Sequence, residues 1–216
     1  METKNIMIVG VGGQGTLLAS KLLGRILLEN GYDVKVSEVH GMSQRGGSVV
    51  TYVRYGDKVY SPIIDKGEAD FILSFELLEA ARWVEYLKKD GVLLTNTQRI
   101  NPMPVITGTA DYPKTLEAKL SALPIRLDAM DALGLALRAG SSKAVNLVLL
   151  GRLSRYFHFT DEQWQDAIEK SGKIPRTQQK GLCARRRGIS IRRTHGTVLS
   201  EGNRMCQPGA DPVLAG

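Results

Sequence analysis

The stretch that most restricts the fold of this chain is Gly10-Val11-Gly12-Gly13-Gln14-Gly15. A short apolar, β-branched run over residues 5–9 precedes it, and leucines recur at helical spacing over residues 16–28. Strand, glycine turn and helix in that order is the setting in which G-x-G-x-x-G carries meaning. Glycines at 10, 12 and 15 let the backbone turn tightly and let the helix begin close to the strand. The N–H groups left at the helix N-terminus suit a phosphate or a carboxylate. Two readings stay open here: the turn binds a nucleotide-like ligand, or it only packs a helix on a sheet.

The remaining periodicity predicts an alternating pattern of strands and helices. Strands are expected over residues 5–10, 34–39, 49–55, 69–75, 92–96 and 124–127, with helices over 13–30, 76–89, 112–123, 128–138, 143–157 and 160–170. Asn30-Gly31 reads as the stop of the first helix, and the unit it closes predicts parallel pairing of the first two strands. Gly56-Asp57-Lys58 predicts a turn from strand 49–55 into a short strand at Val59-Tyr60, a hairpin set into the sheet. Asp90-Gly91 is expected to end the helix over 76–89, whose Glu79, Arg82, Glu85 and Lys89 read as a solvated face. Residues 97–111 read as loop, Pro113 as the start of the next helix and Asp128 as the cap of the one after it. Thr160 with Gln163 predicts a capping box. The fold class is therefore α/β: a three-layer, Rossmann-like, mostly parallel sheet with a hairpin insertion and a disordered C-terminal tail.

A net charge of +7 suggests nucleic acid until the charge is located. Residues 171–216 hold nine of the 29 Lys and Arg but only two of the 22 acids, Glu201 and Asp211, which leaves 20 of each sign in residues 1–170. The tail carries seven glycines and three prolines over 172–216 and no sustained apolar period, so it reads as a disordered basic segment. Both cysteines, Cys183 and Cys206, lie in it. Residues 1–170 thus offer no thiol for an iron–sulfur cluster, a structural zinc or a nucleophile, and no metal site is expected. No apolar run reaches the ~18 residues of a membrane span. The N-terminus shows no basic and apolar leader, so the cytoplasm is the expected compartment.

Between the second and third strands lies His40-Gly41-Met42-Ser43-Gln44-Arg45-Gly46-Gly47-Ser48, a glycine-rich loop of donors. Arg45 suits a forked contact with a carboxylate or phosphate. His40 is a candidate acid–base group, since an ordinary imidazole titrates near working pH. The alternative is that this loop only docks on a partner. Glu38 ends its strand near the place where dinucleotide-binding folds keep a ribose-binding acid, although its plainer reading is a solvent-facing carboxylate. His158, flanked by Phe157 and Phe159, reads as packing.

With the turn at 10–15, the run Glu38-Val39-His40-Gly41-Met42-Ser43-Gln44-Arg45-Gly46-Gly47 and the late helix carrying Asn146 and Gly151, residues 1–170 resemble the gamma domain of the 2-oxoacid:ferredoxin oxidoreductases. Within that family they are most similar to the beta subunits of the indolepyruvate-type enzymes. The resemblance implies one subunit of an enzyme, not active alone. Its reaction is the coenzyme A-dependent oxidative decarboxylation of a 2-oxoacid such as an aryl-pyruvate, giving acyl-CoA, carbon dioxide and reduced ferredoxin. It implies thiamine diphosphate and iron–sulfur clusters on a large alpha subunit, coenzyme A as co-substrate and no cofactor held by this chain alone. Gly10, Gly12, Gly13, Gln14 and Gly15, with Ser43, Gln44, Arg45 and Gly46, are the residues expected to meet an anionic group such as a coenzyme A phosphate. Neither membrane nor nucleic acid is an expected partner.

From Ser171 onward the chain departs from the family pattern, where a short Pro- and Lys-containing segment leading to a final helix is expected. Its Arg-rich, aperiodic run reads as translation in another frame would, which raises the hypothesis of a frameshifted or otherwise altered terminus. Two further readings compete. One is a free-standing NAD-dependent dehydrogenase using the glycine turn and Glu38. The other is a nucleic-acid-binding protein working through the arginine tail, which lacks aromatic interleaving.

Overall fold

A computed structural model describes residues 2–40 and 46–171 of the chain. Ser171 aside, the basic tail lies outside the described residues, and so do Ser43, Gln44 and Arg45. The first strand, β1 (Lys4–Val11), runs through the glycine turn into α1 (Thr16–Glu29), which ends at Asn30 and at Gly31 in the left-handed region, as expected. β2 (Asp33–His40) and β3 (Ser48–Gly56) follow. After β4 (Ala69–Ser74) come α2 (Leu77–Trp83), a 3-10 turn at Val84–Tyr86 and β5 (Leu87–Asn96). The rest comprises α3 (Met103–Ile106), α4 (Leu116–Ser121), β6 (Arg126–Met130), α5 (Ala132–Arg138), α6 (Val145–Leu153) and α7 (Asp161–Lys170).

One six-stranded sheet has the order β2-β3-β1-β4-β5-β6. β1, β4, β5 and β6 are parallel neighbours, and β3 runs antiparallel to both β1 and β2. The expected direct pairing of β1 with β2 is therefore corrected: β3 lies between them. The side chains explain the exchange. β3 is Val-Val-Thr-Tyr-Val at its centre and largely buried, which suits an interior strand, whereas β2 alternates charge with exposed Val36 and Val39, which suits an edge. The hairpin is thus β2–β3. No strand forms at Val59-Tyr60, where the Val59 N–H donates to Asp33 Oδ2 at 2.8 Å and Arg54 holds the carbonyls of Ser61 and Ile63.

Helices cover both faces. Ala19, Leu22, Leu23, Ile26 and Leu27 of α1 pack with α5, α6 and α7 over Ile6, Ile8, Val53 and Leu73. Leu77 and Ala80 of α2 pack with Leu116 and Leu120 of α4 over Met7, Val9, Ile72 and Leu93. The chain leaves the neighbouring strands β1 and β4 toward opposite faces, so a crevice opens at their carboxyl ends.

Three further expectations shift. The helix over 76–89 stops at Trp83, and Asp90-Gly91 lies inside β5. There Ala69 pairs with Leu87 but Phe71 with Val92, a bulge that Asp90 turns at φ 64°. Asp128 sits in β6 and pairs with Arg152, while Asp131 three residues later caps α5 by accepting from Gly134 N at 2.8 Å. The helix expected over 112–123 keeps only Leu116–Ser121. The Thr160–Gln163 capping box forms as expected. His158 is exposed, and it is Phe157 and Phe159 that pack on Trp164.

Arg152 lies on the fully buried helix α6, its side chain 5% exposed, with Nε 2.5 Å from Asp128 Oδ2. Removing one member of such a pair strands the other charge in the core. Asp128→Ala is expected to lower unfolding stability by about 3 kcal/mol, read by urea denaturation.

Candidate functional site

The glycine turn sits at the mouth of the β1/β4 crevice, and side-chain amides hold it there. Gln14 folds back under the turn: its Oε1 accepts from Val11 N at 2.8 Å and its Nε2 donates to the Phe75 carbonyl at 3.1 Å. The same carbonyl receives Asn96 Nδ2 at 3.2 Å, and Asn96 Oδ1 accepts from Ala132 N at 3.0 Å. From the opposite wall, Asn146 Nδ2 donates to the Gly15 carbonyl at 3.3 Å. Gln14 thus braces the turn, and it also lines the larger of the two clefts beside it.

Two of the glycines are required by conformation. Gly13 has φ 99° and Gly15 φ 85°, where L side chains are strained. A Cβ on Gly15 would also lie 2.3 Å from Asn146 Nδ2. Gly10 accommodates a second close approach, its missing Cβ leaving room for Gln14 and Phe75. α1 starts at Gly15 with no side-chain cap and no acidic residue in its first turn. Its partial positive charge therefore meets no counter-charge from the helix itself. Gly12 is committed elsewhere: its N–H donates to the Gly47 carbonyl at 2.8 Å, and its carbonyl accepts from Gly46 N at 3.4 Å.

Two clefts flank the turn. One, of about 340 Å³, lies between Gly12, Gly13, Thr16, Leu17, Glu38 and Val49. The other, of about 490 Å³, adds Gln98, Leu133, Ser142, Lys143 and Asn146 to the turn. Lys143 gives this second cleft a cation next to the helix N-terminus, a pairing suited to phosphate or carboxylate. Glu38 lines the first cleft, beside the turn as its spacing predicts. The backbone of His40 pairs with Val49 at the end of β2, and Gly46 with Gly47 touches Gly12, so the described residues on both sides of 41–45 lie beside the turn.

Lys143, Gln98 and Glu79 were not among the sequence candidates. A polar Asn146 inside the otherwise apolar run 144–150 is a signal that points into the site, whereas Lys143 lies in an unremarkable connection. Beneath the crevice, buried Glu76 caps α2 by accepting from Glu79 N. It also receives Ile100 N at 3.1 Å and the Tyr112 hydroxyl at 2.6 Å. Burial, and then that carboxylate, push the Tyr112 phenol well above its usual range, so it stays a neutral donor. Among the described residues no group of three or more His, Cys, Asp and Glu is placed to hold a metal ion, and no helix is long and apolar enough to cross a membrane.

A family model described as pyruvate ferredoxin/flavodoxin oxidoreductase matches residues 5–190. The chain belongs to this family. It is 47% identical over 176 residues to the indolepyruvate oxidoreductase subunit IorB of Thermococcus kodakarensis, covering 79% of this chain and 87% of that protein. It is 26% identical over 170 residues to the common gamma subunit of the pyruvate/ketoisovalerate oxidoreductases of the same organism, covering 75% and 83%. The fold matches the pyruvate oxidoreductase subunit PORC of Thermotoga maritima with a TM-score of 0.64 at 22% identity, over 87% of this chain and 94% of that one. The chain is accordingly a subunit of a 2-oxoacid:ferredoxin oxidoreductase. The comparisons lend no support to a free-standing dehydrogenase or to a nucleic-acid-binding protein.

Gly15→Ala is expected to cost about 2 kcal/mol or more, because it adds backbone strain to a clash with Asn146. Gly13→Ala, with open space around its Cβ, should cost about 1 kcal/mol from strain alone. Thermal denaturation of the two variants reads the difference.

Proposed function

We propose that this chain is the small subunit of a cytoplasmic complex that oxidises aryl-pyruvates. A 2-oxoacid of the indolepyruvate class reacts with coenzyme A, and the products are acyl-CoA, carbon dioxide and two electrons for ferredoxin. The observation that carries the substrate class is the gap between 47% identity to an indolepyruvate oxidoreductase subunit and 26% to a pyruvate/ketoisovalerate one from the same organism. Such a gap within one genome favours descent in the indolepyruvate branch.

The large partner subunit is expected to hold the thiamine diphosphate and the iron–sulfur clusters, for which residues 1–170 offer no cysteine thiolate. The contribution of this chain is to seat an anionic group of coenzyme A. Gly13 and Gly15 at the uncapped start of α1 line both clefts, Thr16 lines the first and Lys143 the second, so the backbone N–H groups of the turn and the Lys143 ammonium are the donors offered to that anion. Ser43, Gln44, Arg45 and Gly46 complete the donor set, with Arg45 as the fork for a phosphate or carboxylate. His40 is placed near enough in sequence to move a proton there. In this reading residues 1–170 form the body of the family domain, whose match runs on to residue 190, and the basic segment over 171–216 is an altered ending. An intact mass from the native source that matched all 216 residues would contradict the altered ending.

Full-length tagged chain recovered from its native source should bring down a large, cysteine-rich, thiamine-dependent protein. That complex should reduce a viologen dye only when both a 2-oxoacid and coenzyme A are present, with indolepyruvate and phenylpyruvate preferred over pyruvate and 2-oxoglutarate. A preference for pyruvate would overturn the substrate class. In the same complex Lys143→Ala is expected to raise the KM for coenzyme A about fivefold with kcat little changed, the signature of lost binding rather than lost chemistry.

A further inference from the structure

Glu79 lies on the face of α2 that its sequence pattern assigns to solvent, yet only 4% of it is exposed. A carboxylate is buried at that cost only where donors engage it. Three do. Oε1 accepts from Arg82 Nε at 3.1 Å, and Oε2 accepts from Trp83 Nε1 at 3.2 Å and from the Ser48 hydroxyl. Arg82 and Trp83 belong to the same helix. Ser48 does not: it opens β3, immediately after Gly47, whose carbonyl accepts the Gly12 N–H at 2.8 Å. A continuous path therefore runs from α2 through Glu79 and Ser48 to Gly47 and on to the glycine turn.

From this geometry we infer that Glu79 is the positioning residue of the glycine turn. It fixes the Gly46–Ser48 stem against Gly12 and thereby sets the width of the cleft between the turn and β3. Gln14 and Asn146 hold the β4 and α6 sides of the turn; toward β3 the ladder carries its first residues as far as the Val11–Ser48 pair, and beyond that pair Gly12 bonds to Gly46 and Gly47. Glu79 supplies a charged acceptor there, on a rigid helix that Glu76 caps and whose Leu77 and Ala80 are buried. A charged acceptor holds a hydroxyl donor more firmly than a neutral one. The role in ligand binding rests on the reading of the turn as the coenzyme A seat; the role in shaping the turn does not.

The test pairs two readouts. Amide hydrogen exchange at Gly12 in the full chain reports the stem contact directly, and the KM for coenzyme A in the assembled complex reports its consequence. Glu79→Ala and Ser48→Ala are each expected to speed Gly12 exchange and raise that KM by about tenfold, with kcat within about twofold. The double variant should be no worse than either single one, since both cut the same link. Ser48→Thr, which keeps the hydroxyl, should restore most of what Ser48→Ala loses. Arg82→Ala removes the solvent-side partner of the same carboxylate and should leave Gly12 exchange unchanged. Where Glu79→Ala does not fold, Glu79→Gln keeps the volume and one acceptor and should speed exchange about threefold. Unchanged Gly12 exchange in the Glu79 variants, or an equal rise with Arg82→Ala, overturns the inference. Faster exchange with an unchanged KM keeps Glu79 as the positioning residue of the turn and overturns the coenzyme A reading instead.

Discussion

The site depends on one side-chain amide. Where β1 and β4 end, the N–H of Val11 and the carbonyl of Phe75 lie beyond the last rungs of their shared ladder, and Gln14 presents an acceptor to one and a donor to the other. A buried Val11 N–H left unpaired there would cost about 1–3 kcal/mol, while the Phe75 carbonyl keeps Asn96 as a second donor. Gln14 removes that cost and in doing so fixes the turn to both strands. Asn96 shares the Phe75 carbonyl, and Asn146 secures Gly15 from α6. All three are neutral amides. They satisfy backbone groups without placing a negative charge at the start of α1, so its partial positive charge stays available to something outside the chain. Asp or Ser at the same place would cap the helix and occupy it.

The same logic explains why the sheet has its order. A crevice at the carboxyl ends of β1 and β4 needs helices that leave these strands toward opposite faces, which α1 and α2 do. Inserting β3 beside β1 adds a wall to that crevice and brings Gly46 and Gly47 next to Gly12. The hairpin that interrupts a simple parallel pattern is thus part of what shapes the site. Its outer strand, β2, carries the burden of being an edge, with Lys35 and Glu38 among its valines.

Much of this was legible in the residues. The turn, α1 and its stop at Asn30-Gly31, β4, and the box of Thr160 and Gln163 are each specified locally, by glycine conformation, apolar period or cap chemistry, and the structure keeps them. What misled were signals with two local solutions. Asp90-Gly91 suits a helix stop and equally a bulge, and only pairing with β4 selects the bulge. Asp128 and Asp131 both suit a cap; the demand of buried Arg152 for a carboxylate takes the first and leaves the second. Glu79 follows a solvent-facing period and is buried because of Ser48, a contact no local pattern encodes. The glycine pattern marked the turn and family resemblance marked Asn146, whereas Lys143 and Gln98 enter the crevice only through the packing of α6 and the path of the chain after β5.

The central claim is that the glycine turn of this chain, and not only its partner, meets an anion. The most direct measurement is an amide chemical-shift titration of the full chain with coenzyme A. Saturable shifts are expected, concentrated at Gly13, Gly15, Thr16 and Lys143 and weakened when dephospho-coenzyme A replaces coenzyme A or when salt is raised. Shifts confined to other parts of the sheet, or equal for adenosine without phosphate, would contradict it.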